Sequence, residues 1–196
     1  MQPELSPELE LVIVAAVAAI LAGIVGRWLY VFLRRRSMHR RSESTIASIA
    51  YDVLRNVLVP NGMGGHIHLH YLLLTERGLL VIDVVDAPGA VFGGDQMTEW
   101  TAIGKKRRYT FQNPQHALYD RMAAVQSLAG DVPVEGRIVF SMRSDFPKGK
   151  PRYVVRIDGL QAEFTVVDAS RISAAAAFAD VWQRVKSSAE PNPLAA

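Results

Sequence analysis

The sequence predicts an α/β domain in which a mixed sheet is flanked by helices, preceded by one N-terminal transmembrane helix. Three observations lead to this prediction. A nearly uncharged apolar run covers residues 11–33, short apolar strand-like runs cluster between residues 66 and 85, and helix-like segments stand before, between and after the strands. A sheet with apolar faces needs helices to cover it, so the later segments favour a layered α/β architecture.

The composition narrows the classes of function. The chain has 196 residues and no cysteine, which excludes disulfides, zinc–thiolate sites and thiol catalysis. Its net charge of +3 resides in residues 1–41, so residues 42–196 are neutral overall. A duplex-binding domain normally carries an excess of Lys and Arg. Any contact with nucleic acid must therefore come from a local basic patch.

The N-terminal run is long enough to cross a bilayer. As a helix, residues 11–33 would rise roughly 35 Å, against a hydrocarbon core of about 30 Å. Several arginines follow the run, and glutamates precede it. The positive-inside rule therefore predicts a single-pass anchor in the inner (cytoplasmic) membrane, contacting lipids, with the C-terminal domain in the cytoplasm. The alternative is a buried core helix.

The expected organisation has five parts. A short tail at 1–10 precedes the transmembrane helix, a basic juxtamembrane linker covers 34–45, the globular domain covers 46–188, and a flexible tail covers 189–196. Small residues along the anchor would allow close helix contact and hence a homo-oligomer.

The globular part opens with apolar residues at helical spacing from Ile46 to Leu54, followed by a Pro- and Gly-rich break. The runs "HIHLHYLLL" and "LLVIDVV" predict adjacent central strands at 72–74 and 79–85, joined by a turn at Glu76–Gly78. Their uniform apolarity indicates that both faces of these strands are covered.

The remaining segments continue the mixed pattern. Two strands flank the basic sequence "GKKRRY", and a helix begins at Pro114 after a capping Asn113 and ends before Gly130. The strands "GRIVFS" and "RYVVRI" then precede a C-terminal amphipathic helix. Together these elements predict one mixed sheet covered by helices.

The sequence "HIHLHYLLLTERGLLVIDVVDAPGAVFGG", followed by Glu99–Trp100 and then by "FQNPQ", resembles the nuclease-related domain (NERD) family over residues 50–142. The resemblance implies a restriction-endonuclease-like PD-(D/E)xK fold. In such a site two acidic residues bind a divalent cation, and a lysine steadies the attacking water or the phosphate charge.

The active-site motif of this chain departs from the family pattern. His70 stands at the family's first Asp, Tyr71 at the following His, Asp83 at the second acidic residue, and Val85 at the Lys. The resemblance therefore implies a degenerate site, with Asp83 and His70 as vestigial catalytic residues.

Three histidines occupy every second position of the segment that ends at His70. On a strand, His66, His68 and His70 would share one face, with about 7 Å between successive members. Together with Asp83 they could ligate a divalent cation such as Mg, Mn or Zn, and we name Asp83, His70 and His68 as candidate ligands. The alternative is a polar sheet face that binds no metal. The flexible sequence "GMGG" directly before the histidines favours this alternative.

Four residues are candidate nucleic-acid contacts. Lys105, Lys106 and Arg107 lie in the basic turn, where they could contact phosphates, and Gln115 lies in the first turn of the helix that the family resemblance places beside the substrate. A solvated turn and a helix cap explain the same residues without function.

Two classes of function follow. The first is a catalytically degenerate nuclease-fold module that binds nucleic acid or a protein partner at the cytoplasmic membrane face. The second is an active metal-dependent DNA nuclease that uses Asp83 and the nearby histidines. The geometry around Asp83 distinguishes them, since a nuclease needs a second carboxylate and a cation close to it.

Overall fold

The computed structural model describes residues 21–30, 42–105, 107–164 and 176–193. The chain divides into two compact units, Met1–Glu43 and Ser44–Ala196. In the first unit, residues 21–30 are helical.

The predicted fold class and location both included a helix that crosses the inner membrane at 11–33, and both are wrong on this point. Among the described residues, no helix is long and apolar enough to cross a membrane. Only 21–30 of the predicted span are described. Residues 11–20 and 31–33 lie outside the described residues.

Helices and strands make up the described residues from position 42 onward. The helices are α1 (42–48), α2 (Pro114–Ala129), α3 (Leu160–Glu163), which follows a 3-10 turn at Ile157–Gly159, and α4 (Ala179–Ser187). The strands are β1 (Asp52–Pro60), β2 (His66–Thr75), β3 (Gly78–Val85), β4 (Gly89–Phe92), β5 (Glu99–Ile103), β6 (Arg108–Gln112), β7 (Val134–Phe140), β8 (Ser144–Asp145), β9 (Val154–Arg156) and β10 (Glu190–Pro191).

These strands form two mixed sheets, whereas the sequence predicted one. The larger sheet has the order β10-β1-β2-β3-β7-β9, and the smaller has the order β6-β5-β4-β8. The chain leaves the larger sheet after β3 through Pro88 and Gly89. Gly89 has a φ of 113°, and an added Cβ would collide with the carbonyl oxygen of Ile103. Only glycine fits this entry into the second sheet.

The central strands agree with the prediction. β2 and β3 pair in antiparallel register, with Leu73 opposite Leu80 and Tyr71 opposite Ile82, while β7 joins β3 in parallel. Leu73 and Ile82 are fully buried. The two predicted strands are therefore confirmed as neighbours inside the larger sheet.

Each face of the larger sheet has its own core. On β3, Leu79 and Val81 pack with residues of α2 and α4, such as Leu118 and Trp182. The alternate residues Leu80 and Ile82 pack on the other face, where the covering residues come from α1 and from the segment at 157–164. The period-2 alternation of a strand thus divides one apolar run between two cores.

The opening segment is only partly the helix that its spacing predicted. Helix α1 ends at residue 48, and Asp52–Pro60 is strand β1. Valines at 53, 57 and 59 are β-branched and suit a strand. Pairing with β2 along eight register positions, from Asp52 to Pro60, outweighs the local helical spacing.

A charged contact joins α4 to the start of β1. One carboxylate oxygen of Asp52 accepts hydrogen bonds from Trp182 Nε1 and Lys186 Nζ, each at 2.9 Å. Burial raises the pKa of Asp52, but these two bonds and the backbone N–H of Val53 outweigh it, so the pKa lies below its ordinary value of 3.8. The ionised carboxylate therefore favours the folded state.

We expect Asp52→Asn to lower the free energy of unfolding at pH 7 by about 0.5–1 kcal/mol, because the variant keeps an acceptor but loses the charge in a partly exposed site. A depressed folded pKa gives stability above pH 3.8 that is lost as the pH falls through the folded pKa. In urea unfolding of the full chain, the difference between parent and variant should shrink below that pH. A difference that stays constant from pH 7 to pH 3 would contradict this role.

Candidate functional site

Asp83 lies two residues before the end of β3 and is the buried acid of the larger sheet. The residue is 3% exposed, and it pairs with Ile138 on the parallel strand β7. It shares the face of Val81, which is the face that α2 covers. An ionised carboxylate at such a position requires partners within the protein.

Both oxygens of this carboxylate have partners. Oδ1 lies 3.1 Å from His70 Nδ1 on the adjacent strand β2, and Oδ2 accepts a hydrogen bond of 2.9 Å from Arg121 Nη1 on α2. An ionised carboxylate can only accept, so His70 carries its proton on Nδ1. Arg121 Nε also donates to the carbonyl oxygen of His68, at 2.7 Å. The guanidinium is thereby held at two points.

The Asp83–Arg121 ion pair is shielded from water. The exposed fractions of the side chains are 5% for Asp83 and 17% for Arg121, against 38% for His70. One guanidinium balances one carboxylate without requiring a charged imidazole. In a buried pair, the loss of either partner leaves an uncompensated charge.

His68 adds a neutral imidazole to the cluster. Its ring meets the ring of His70 edge to face, with centroids 5.1 Å apart. Burial lowers the pKa of His68, electrostatic interactions with His70 and Arg121 lower it further, and Asp83 opposes these effects. Its Nε2 is buried without a hydrogen-bond partner among the described residues.

The residues around Asp83 do not fit a divalent metal. Across the described residues, no three or more His, Cys, Asp or Glu side chains group together in a way that could hold a metal ion. Val85 offers no ligand atom, and the exposed Asp86 is engaged by Arg143 and Ser141. A hard cation needs several oxygen ligands, and Asp83 is a single carboxylate whose oxygens are already engaged.

Gln115 lies inside the protein at the first turn of α2. It is 1% exposed, and its Nε2 donates to Asp95 Oδ1 and to the carbonyl oxygen of Arg152, each at 2.8 Å. Its Oε1 accepts from Asn113, whose own Oδ1 caps the helix through the Gln115 N–H. The hydrogen bond from Gln115, followed by that from the Arg152 N–H, lowers the pKa of Asp95.

The side-chain amide of Gln115 thus ties two loops to the start of α2. The predicted capping by Asn113 is confirmed. A contact between Gln115 and nucleic acid stays a prediction.

The basic turn lies between β5 and β6 in the smaller sheet. Lys105 and Arg107 are exposed, and Lys106 lies outside the described residues. Arg108 and Tyr109 continue the exposed surface along β6, the outer strand of this sheet. Trp100 on β5 is fully buried and stacks on Phe140, so it is a core residue.

Arg121 is the functional residue that sequence reasoning missed. It follows Leu118 by three positions and precedes Val125 by four, and both of those residues are buried on α2. Residues at these spacings share one helix face. An arginine on the apolar face of a helix is the sequence signal that could have indicated a buried acidic partner.

Replacing Asp83 should destabilise the domain strongly. We expect Asp83→Ala to lower the free energy of unfolding by about 3–5 kcal/mol, because Arg121 would keep its buried charge without a partner. Urea unfolding of the full chain at pH 7 measures this loss.

The matched control is Asp86→Ala, three residues along the chain, which breaks an ion pair with Arg143 whose two side chains are 58% and 45% exposed. Exposed pairs contribute little, so the control should cost less than about 1 kcal/mol. Equal losses in the two variants would show that the Asp83 pair has no special place in the core.

Comparison with known proteins adds a family to this geometry. The family model for the nuclease-related domain (NERD) matches residues 35–141, more than half of the chain. An uncharacterized protein of Bacillus anthracis is 27% identical over 89 residues, which cover 45% of this chain and 42% of that protein. The chain thus matches less than half of this relative's length. No solved structure matches the chain. The chain belongs to the nuclease-related domain family.

Proposed function

We propose that this protein is a catalytically degenerate nuclease-fold module that binds nucleic acid through its phosphates. The observation that carries the proposal is the state of Asp83, the one acidic residue retained at the family's active-site positions. Both of its oxygens are engaged by His70 and Arg121. A carboxylate in this state serves the packing of α2 on the sheet.

The loss of catalysis follows from the groups that stand beside Asp83. His70 and Val85 occupy the positions where the family resemblance requires an acid and a lysine. Removing one positioned electrostatic group commonly costs about a hundredfold to a thousandfold in rate. Two missing groups compound this loss, and Val85 has no polar atom with which to replace the lysine.

The proposed binding surface is the basic turn between β5 and β6. The exposed Lys105 and Arg107 lie in this turn, the exposed Arg108 follows it at the start of β6, and Lys106 is included from the sequence alone. Tyr109 is exposed beside them, at 39% of its surface, and an exposed aromatic ring can stack on a base. Because residues 42–196 are neutral overall, a local turn of this kind would supply the attraction to phosphate.

We expect the full-length chain to leave single- and double-stranded DNA intact in the presence of Mg, Mn or Zn. The physical reason is that, among the described residues, Asp83 is engaged by His70 and Arg121 and belongs to no group of acidic or histidine side chains that could hold a metal ion. Gel analysis of end-labelled DNA over hours measures this, with Asp83→Asn as the control. Metal-dependent cleavage by the parent that disappears in Asp83→Asn would favour the alternative function, an active nuclease.

Removing two cations from the basic turn should weaken DNA binding. We expect Lys105→Ala/Arg107→Ala to reduce the slope of log affinity against log salt by about 1.4–1.8, since each lost phosphate contact removes about 0.7–0.9. Fluorescence anisotropy with labelled DNA over a salt series measures the slope.

The matched control is Lys148→Ala/Lys150→Ala, which removes two exposed cations from another loop. It should leave the slope unchanged. Similar changes of the slope in both double variants would mean that DNA does not bind preferentially at the basic turn. A parent chain that does not bind DNA would overturn the binding proposal.

A further inference from the structure

We propose that the guanidinium of Arg121 occupies the place of the divalent cation at the vestigial nuclease site, so that the folded domain excludes metal ions from Asp83. The inference deepens the proposed function, on which it rests for the identity of the vestigial site. Nucleic-acid binding is not needed for it.

Both oxygens of the Asp83 carboxylate face a donor from the protein. Arg121 Nη1 lies 2.9 Å from Oδ2, and His70 Nδ1 lies 3.1 Å from Oδ1. A metal ion would have to displace one of these donors to reach an oxygen of Asp83. His70 Nδ1 carries a proton in this arrangement, so the nitrogen that faces the carboxylate has no lone pair for a metal.

The positive charge of Arg121 also opposes the binding of a metal ion at Asp83. Arg121 remains protonated at all ordinary pH values, so its charge is permanent. A divalent ion bound to Asp83 would lie beside this fixed positive charge in a site with little exposure to water, where repulsion is stronger than in bulk solvent. The single charge of Asp83 is already balanced by one guanidinium.

Two hydrogen bonds hold the guanidinium of Arg121 in place. Arg121 Nε donates to the carbonyl oxygen of His68 at 2.7 Å, in addition to the bond that Nη1 makes to Asp83. Swinging the side chain away would break both bonds and leave Asp83 buried without its counter-charge. Arg121 is therefore held as a resident cation by the fold itself.

Removal of Arg121 should raise the affinity of Asp83 for a metal ion. In the metal-free full-length chain, we expect Arg121→Ala to bind Mn²⁺ at least about tenfold more tightly than the parent, because the variant frees Asp83 and removes the repulsion. The readout is paramagnetic broadening of the imidazole proton signals of His68 and His70 during titration with Mn²⁺. The exposed His116 serves as an internal reference for non-specific binding.

Two controls define the effect. Arg121→Lys retains a positive charge and should bind Mn²⁺ as weakly as the parent. Adding Asp83→Asn to Arg121→Ala should abolish the gained affinity. A folded Arg121→Ala variant with no gain would overturn the proposal.

The parent itself supplies a second test that does not depend on the folding of any variant. The signals of His68 and His70 should stay sharp at Mn²⁺ concentrations that broaden His116. Selective broadening of His70 in the parent would overturn the proposal. DNA is absent from these titrations, so their outcome is independent of whether the basic turn binds nucleic acid.

Discussion

The buried charge of Asp83 is the constraint to which the rest of this structure adjusts. It is buried on the sheet face that α2 covers, and a carboxylate there needs donors. Arg121 supplies one donor from α2, and His70 supplies another from β2. The same arginine also bonds the backbone of β2 at His68. Helix and sheet are thereby joined by charge as well as by apolar packing.

A buried ion pair contributes little net stability compared with apolar residues of similar shape, but it penalises other arrangements heavily. Any sliding of α2 along the sheet would separate Arg121 from Asp83. The start of α2 is fixed independently by the Asn113 cap and by the bonds from Gln115 to Asp95 and to the Arg152 carbonyl. These two attachments set both the position and the rotation of the helix.

The central strands and α2 could be predicted because their signals are local: an uninterrupted apolar run, a capping Asn113 and a terminal Gly130. The second sheet could not, because its strands are short and their pairing is decided by tertiary contacts. Strand β1 was misjudged for the same reason. At the site, Asp83 and His70 were found from their motif positions, whereas the role of Arg121 depends on how the helix docks. The helix expected at 11–33 rested on the apolarity of the run and on the charges that flank it, whereas no helix among the described residues is long and apolar enough to cross a membrane.

The order of the strands in space has a consequence for folding. Strands β1, β2 and β3 follow one another along the chain and pair as neighbours, so they can assemble through local contacts. Strand β7 pairs with β3 only after the chain has passed through β4, β5, β6 and α2. Pairing across such a long separation is slow, because the entropy of closing the intervening loop is lost before the new contacts form. If β1, β2 and β3 pair before α2 docks, Asp83 at that stage lacks its bond from Arg121, and water must solvate its charge instead.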